Sequence, residues 1–147
     1  AVPAVLSTAN VTNMSAMFFG CTSLRAVPAD FNVSKVTDGT DFGVSLRSLS
    51  RTTLDLSAAV ITTKLKITEA QGLRGLLVCP TATWTGTAPQ IDITDCGLDR
   101  TALIALFNSL GTISGKTIKV TGCTGTADLT AGDIAIATDK GWTVTTT

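Results

Sequence analysis

Residues 90–123, QIDITDCGLDRTALIALFNSLGTISGKTIKVTGC, open and close on nearly the same phrase: IDITDC from Ile91 and IKVTGC from Ile118, 27 positions later. In both copies apolar side chains fall at every second position, the period of a strand. Ile91, Ile93, Ile118 and Val120 are therefore expected to point inward, and Asp92, Thr94, Lys119 and Thr121 to form an open face. Between the copies, GLDRTALIALFNSLG (97–111) carries Leu98, Ala102, Ala105 and Leu106 at helical spacing, with Asp99 as N-cap and Gly111 suited to the C-terminal end. A fixed period holding one strand and one helix is the pattern of a stacked repeat, in which parallel strands lie side by side with helices or loops behind them.

The same plan extends both ways. Downstream, LTAGDIAIATDKGWTVTTT (129–147) offers Thr130 and Asp133 as a helix start, a helical run through Ile134 and Ala137, Gly141 as a stop, and Trp142 to Val144 as a last strand on the sheet edge. Upstream, Leu54-x-Leu56, Leu65-x-Ile67 and Leu76-x-Val78 begin 11 residues apart, too close for a helix in each return. They read as successive strands joined by short loops, followed by an irregular return, CPTATWTGTAPQ (79–90), that carries Trp84. In that register the outward positions form two columns: Asp55, Lys66, Leu77, Asp92, Lys119 and Ser57, Thr68, Cys79, Thr94, Thr121. Asp92 and Lys119 would then face each other across adjacent strands.

Composition narrows the function. A chain of 147 residues is one domain by length and buries roughly 68–70% of the surface its unfolded form exposes. With 11 basic and 11 acidic residues it has no net field to gather nucleic acid or an anionic membrane, and no segment approaches the roughly 20 apolar residues of a membrane span. The chain as given is expected to be soluble, and its opening AVPAVLSTANVT, with no basic leader and no long apolar core, is not a whole signal peptide, although a mature chain would have lost one. His and Tyr are absent, which removes the commonest general base and metal ligand, so the expectation is a protein that is not an enzyme, with no catalytic residues, no cofactor and no metal.

The cysteines at 21, 79, 96 and 123 match no zinc-ligand spacing and read as free structural thiols. Cys96 and Cys123 share one repeat position, where adjacent strands would hold them roughly 4.8 Å apart as a buried ladder. Asp92, Asp95 and Asp99 read as strand-face and helix-cap carboxylates, and TGCTGTAD (121–128) lacks the Lys-Ser/Thr ending of a phosphate loop.

The order apolar, polar, apolar, two others, Cys is the strand-and-turn portion of a leucine-rich repeat. The N-terminal third adds its own echo, Val11-Thr12-Asn13 against Val36-Thr37-Asp38 and Ser23-Leu24-Arg25 against Ser45-Leu46-Arg47. Here Val11 to Ser15, Met17-Phe18, Gly20-Cys21, Ser23-Leu24 and Val27-Pro28 resemble the BspA-like class of leucine-rich repeats, with Gly39 and Val44 departing from the pattern in the second copy. The resemblance implies an α/β fold, a short leucine-rich-repeat solenoid with a parallel sheet on one face and helices or loops on the other. It divides the single domain 1–147 into two BspA-like units (1–50), short irregular units (51–89), and strand-helix units with a C-terminal cap (90–147). Residues 115–122 and 134–144 are similar to the closing segment of such repeat proteins in tailed bacteriophages.

That likeness implies a virion surface protein, assembled in the bacterial cytoplasm, either decorating the head or placed on a tail fibre. Its partners would be the capsid lattice and copies of itself, engaged through the apolar groups Met14, Met17, Phe18, Phe19, Trp142 and Val144. The alternative is a receptor-binding module of a tail fibre, or a bacterial surface adhesin. It would recognise a host receptor through the strand face at Asp55, Lys66, Asp92, Thr94, Lys119 and Thr121.

Overall fold

The computed structural model describes residues 7–21, 23, 31–44 and 52–147. In chain order the elements are β1 (Gly39–Val44), β2 (Thr52–Leu56), β3 (Leu65–Thr68), β4 (Leu73–Val78), β5 (Ile91–Thr94), α1 (Arg100–Ser109), β6 (Lys116–Lys119), α2 (Ala131–Thr138) and β7 (Trp142–Thr145), with a 3-10 turn at Thr126–Asp128. The fold is α/β, and every strand pairing is parallel. Five strands form a front sheet in the order β1-β3-β5-β6-β7, and β2 and β4 form a second sheet. Leu65, Ile91, Ile118 and Val144 lie side by side in register, so the front sheet advances one strand every 26 or 27 residues.

The 11-residue spacing does not produce neighbouring strands. β2 pairs with β4, while β3 pairs with β1 and β5, so successive strands alternate between the two sheets. Leu54, Leu56, Leu65, Ile67, Leu76 and Val78 all belong to one buried cluster. An 11-residue step thus carries the chain from one wall of the core to the other. The expected columns are corrected accordingly: Asp55 and Leu77 are partners of each other in the second sheet, and Lys66 stands beside Asp92 in the first. Downstream, α1 packs against β4, and α2 against α1 and β7, so helices continue the layer that β2 and β4 begin.

Local chemistry sets each boundary. Asp99 caps α1 by accepting the Ala102 amide at 2.8 Å, and Thr130 and Asp133 cap α2 reciprocally in a capping box. The apolar stripe of α1 is Ala102, Leu103, Leu106 and Phe107, whereas Ala105 is exposed. At 3.6 residues per turn these four side chains centre between Leu103 and Leu106, and Ala105, although beside Ala102, falls on the far side of that centre.

Two further columns run across the front sheet. Thr37 donates its amide (2.7 Å) and hydroxyl (3.1 Å) to the Thr12 carbonyl, Thr62 repeats both bonds to Thr37 (2.9 and 3.2 Å), and Thr85 repeats both to Thr62. At the other end of the strands Ala16, Asp41, Glu69, Asp95 and Gly122 all take left-handed backbone conformations, with φ from 54° to 69°. Such residues cost about 1–2 kcal/mol each except at glycine. Glu69 and Asp95 directly follow β3 and β5, where the chain leaves the front sheet, whereas Asp41 lies inside β1 at its register shift.

Candidate functional site

The front sheet carries five of the six residues expected to form a recognition face, although the Thr121 hydroxyl oxygen is buried. Lys66, Asp92 and Lys119 stand in register on β3, β5 and β6, Thr68 and Thr94 pair beside them, and Thr121 follows two positions after Lys119; all are half-buried. Asp41 on β1 joins the row through an ion pair with the Lys66 Nζ at 2.9 Å. The Thr94 hydroxyl donates to Asp92 Oδ1 at 2.6 Å. Signs alternate along the row, Asp41, Lys66, Asp92, Lys119, so charge is balanced locally and each exposed pair contributes roughly 0.2–1 kcal/mol. Asp55, the sixth, lies on the second sheet, where the Ser57 hydroxyl and amide hold its carboxyl below the usual range. The sequence reading missed Asp41 because a left-handed residue inside a strand breaks the alternation that identifies outward positions.

The six apolar groups expected to meet a partner divide by burial. Met14, Phe18 and Trp142 lie in the core at 1%, 5% and 2% exposure. Phe18 packs its ring on Phe31 and Phe42, with centroids 5.8 and 5.5 Å away, and Trp142 stands edge-on to Trp84 at 6.0 Å while its Nε1 donates to the Gly111 carbonyl. Met17 and Val144 are half-buried against the same cluster. Phe19 is 64% exposed. The split between Phe18 and Phe19 comes from a tight turn, in which Phe19 donates to the Ala16 carbonyl and Cys21 to Phe18 while Ala16 and Gly20 take positive φ. Residues 7–21 around it contain no charged side chain.

All four cysteines are free, and three are buried. The Cys96 thiol donates to the Ile67 carbonyl at 3.4 Å and the Cys123 thiol to Ile93 at 3.2 Å, each reaching back one strand of the front sheet. Cys123 alongside and burial together push the Cys96 thiol well up, away from the thiolate that nucleophilic chemistry needs. Among the described residues no three His, Cys, Asp or Glu side chains converge on a point that could hold a metal ion, and no helix is long and apolar enough to cross a membrane.

Comparison with family models, with curated proteins and with solved structures finds no match to this chain.

Proposed function

We propose that the chain is a non-enzymatic structural protein of a tailed-phage virion, a capsid decoration subunit built as a short BspA-like leucine-rich-repeat solenoid and acting through protein contacts at the virion surface. The observation that carries the contact role is Phe19: a large aromatic side chain, 64% exposed, set in a stretch, residues 7–21, without a charged side chain. Isolated exposed apolar residues are common, but an exposed aromatic is the type that anchors protein interfaces. The regular advance of the front strands at 26 or 27 residues supports the solenoid reading. The test is saturable binding of the purified chain to undecorated heads, with Phe19→Ser expected to abolish it; wild-type binding by that variant removes Phe19 from the contact.

A second reading rests on a different observation, the co-facial set Lys66, Asp92, Thr94, Lys119 and Thr121. Used as a recognition surface, that face would serve a tail-fibre receptor binder or an adhesin. Gold-labelled antibody on purified particles separates the two: label over the head supports decoration, and label at the tail tip supports recognition.

A further inference from the structure

Cys96 and Cys123 occupy one position in successive periods, just beyond β5 and β6. The Asp95 amide donates to the Thr121 carbonyl at 3.0 Å and the Thr124 amide to the Cys96 carbonyl at 3.1 Å, so the register that pairs Ile91 with Ile118 continues through the two cysteines. Backbones paired in this way lie about 4.8 Å apart. That separation falls within the roughly 4.4–6.8 Å between Cα atoms that a disulfide spans. Both side chains enter the core, at 0% and 5% exposure, and the Cys123 thiol leans toward β5, donating to the Ile93 carbonyl at 3.2 Å. Cys79 follows β4 on the other sheet and Cys21 follows the Phe18 turn, so neither belongs to this ladder.

We infer that Cys96 and Cys123 form a latent cross-link: two thiols in a reducing compartment, and a disulfide between successive coils of the fold in an oxidising one. With a small-molecule disulfide such as oxidised glutathione as the oxidant, the Cys123 thiolate attacks one reagent sulfur, forms a mixed disulfide and releases one reagent thiolate. The Cys96 sulfur then attacks the Cys123 sulfur, its proton leaving, and the second reagent thiolate departs. Two protein thiols are oxidised to one disulfide, and one reagent disulfide is reduced to two thiols. Cys123 takes the first step because the Cys96 side chain beside it holds its thiol below the ordinary value, while Cys96 itself is pushed up.

Burial makes the exchange slow in the folded chain, since it waits for local opening, and it shields the finished bond from reductants in the same way. Once closed, the bond encloses the whole of α1 in a covalent loop and stabilises the fold by restricting the unfolded chain. The chemistry stands apart from the protein-contact reading above, which supplies only its occasion: a chain assembled in the bacterial cytoplasm and then carried on a particle surface passes from a reducing to an oxidising environment. It is tested on the purified chain without capsids, so its failure leaves head binding to be decided separately.

In the experiment the 147-residue chain is unfolded in urea under reducing conditions and refolded in glutathione redox buffers, so that burial does not limit access. Free thiols are then blocked, and the unreduced digest is read by mass spectrometry. The expected product joins the Cys96 and Cys123 peptides and leaves Cys21 and Cys79 outside the bond. The oxidised chain is expected to melt at a higher temperature than the same chain kept reduced. Cys96→Ala and Cys123→Ala are each expected to abolish that shift, and Cys21→Ala to retain it. Melts under reducing conditions verify that the variants fold, and the wild-type product decides the pairing without them. Cys96 and Cys123 recovered as blocked thiols in every buffer overturn the inference, as does a preferred bond from either one to Cys21 or Cys79, or a melting temperature that oxidation leaves unchanged.

Discussion

Arg100 and Asp133 tie the two helices together: Nε and Nη2 of the guanidinium donate to the two carboxylate oxygens at 2.9 and 3.0 Å, joining the first turn of α1 to the first turn of α2. The same carboxylate accepts the Thr130 amide and hydroxyl, both at 2.8 Å, so one buried group serves as an interhelical clamp and as half of a capping box.

Arg100 and Thr130 lower the Asp133 pKa from the ordinary 3.8 to about 2. A depressed carboxyl adds stability that is fully present above its unfolded value and disappears as pH falls through its folded value. Thermal melts should therefore show this contribution intact at pH 5 and lost progressively between about pH 4 and pH 2. Asp133→Asn should melt lower than the parent at pH 6 and converge with it near pH 2. A gap that stays constant over that range would assign the stabilisation to packing instead.

Lys140 closes the other end of α1. Its Nζ donates to the carbonyls of Phe107, Asn108 and Leu110 at 3.0, 2.7 and 2.8 Å, placing a cation where the helix leaves its last carbonyls unpaired. Lys140→Met is expected to lower unfolding stability by about 1.5–3 kcal/mol in urea titrations, the range for hydrogen bonds to charged groups. Lys35→Met, which removes an exposed contact to Asn10, should change it by no more than about 0.5 kcal/mol.

Gly122 and Gly115 have nearly the same backbone, φ 69° and 70°, in different surroundings. A Cβ on Gly115 would meet nothing within 4 Å, whereas one on Gly122 would lie 2.0 Å from Asp95 Oδ1. Gly115→Ala should cost about 1–2 kcal/mol for the left-handed conformation alone. Gly122→Ala should cost at least about 1 kcal/mol more, because Asp95 must also move. Equal losses in paired denaturation curves would remove the Asp95 contact from the explanation.

Thiol reactivity should follow burial. Cys21 is half-buried in the N-terminal turn, while Cys96 and Cys123 are at 0% and 5% exposure and donate to strand carbonyls. A water-soluble disulfide reagent is expected to modify Cys21 in the native chain and to reach Cys96 and Cys123 only as fast as the chain unfolds. Mass spectrometry of partly modified protein identifies the order, and native labelling of Cys96 ahead of Cys21 would contradict it.

The repeat between Ile91 and Ile118 was enough, read alone, to place β5 and β6 side by side with Asp92 beside Lys119, because strand alternation and a fixed period are properties of the chain itself. The caps at Asp99 and Thr130 were equally legible, since capping is settled within four residues. Three features belonged to the tertiary structure. Alternation identifies which side chains of Leu54–Leu56 and Leu76–Val78 seek the core, but both walls of a core demand the same alternation, so only packing could send β2 and β4 to a second sheet and take Asp55 away from Lys66. Phe18 and Phe19 are chemically identical neighbours, and a turn with two left-handed residues decided which one solvent sees. Arg100 and Asp133 lie 33 positions apart with no spacing to announce them, and they meet because α2 stacks one period beyond α1. Local periodicity determined the elements from Leu54 onward, though not β1, whose alternation Asp41 breaks, and the closing of one core around them decided which faces and charges became neighbours.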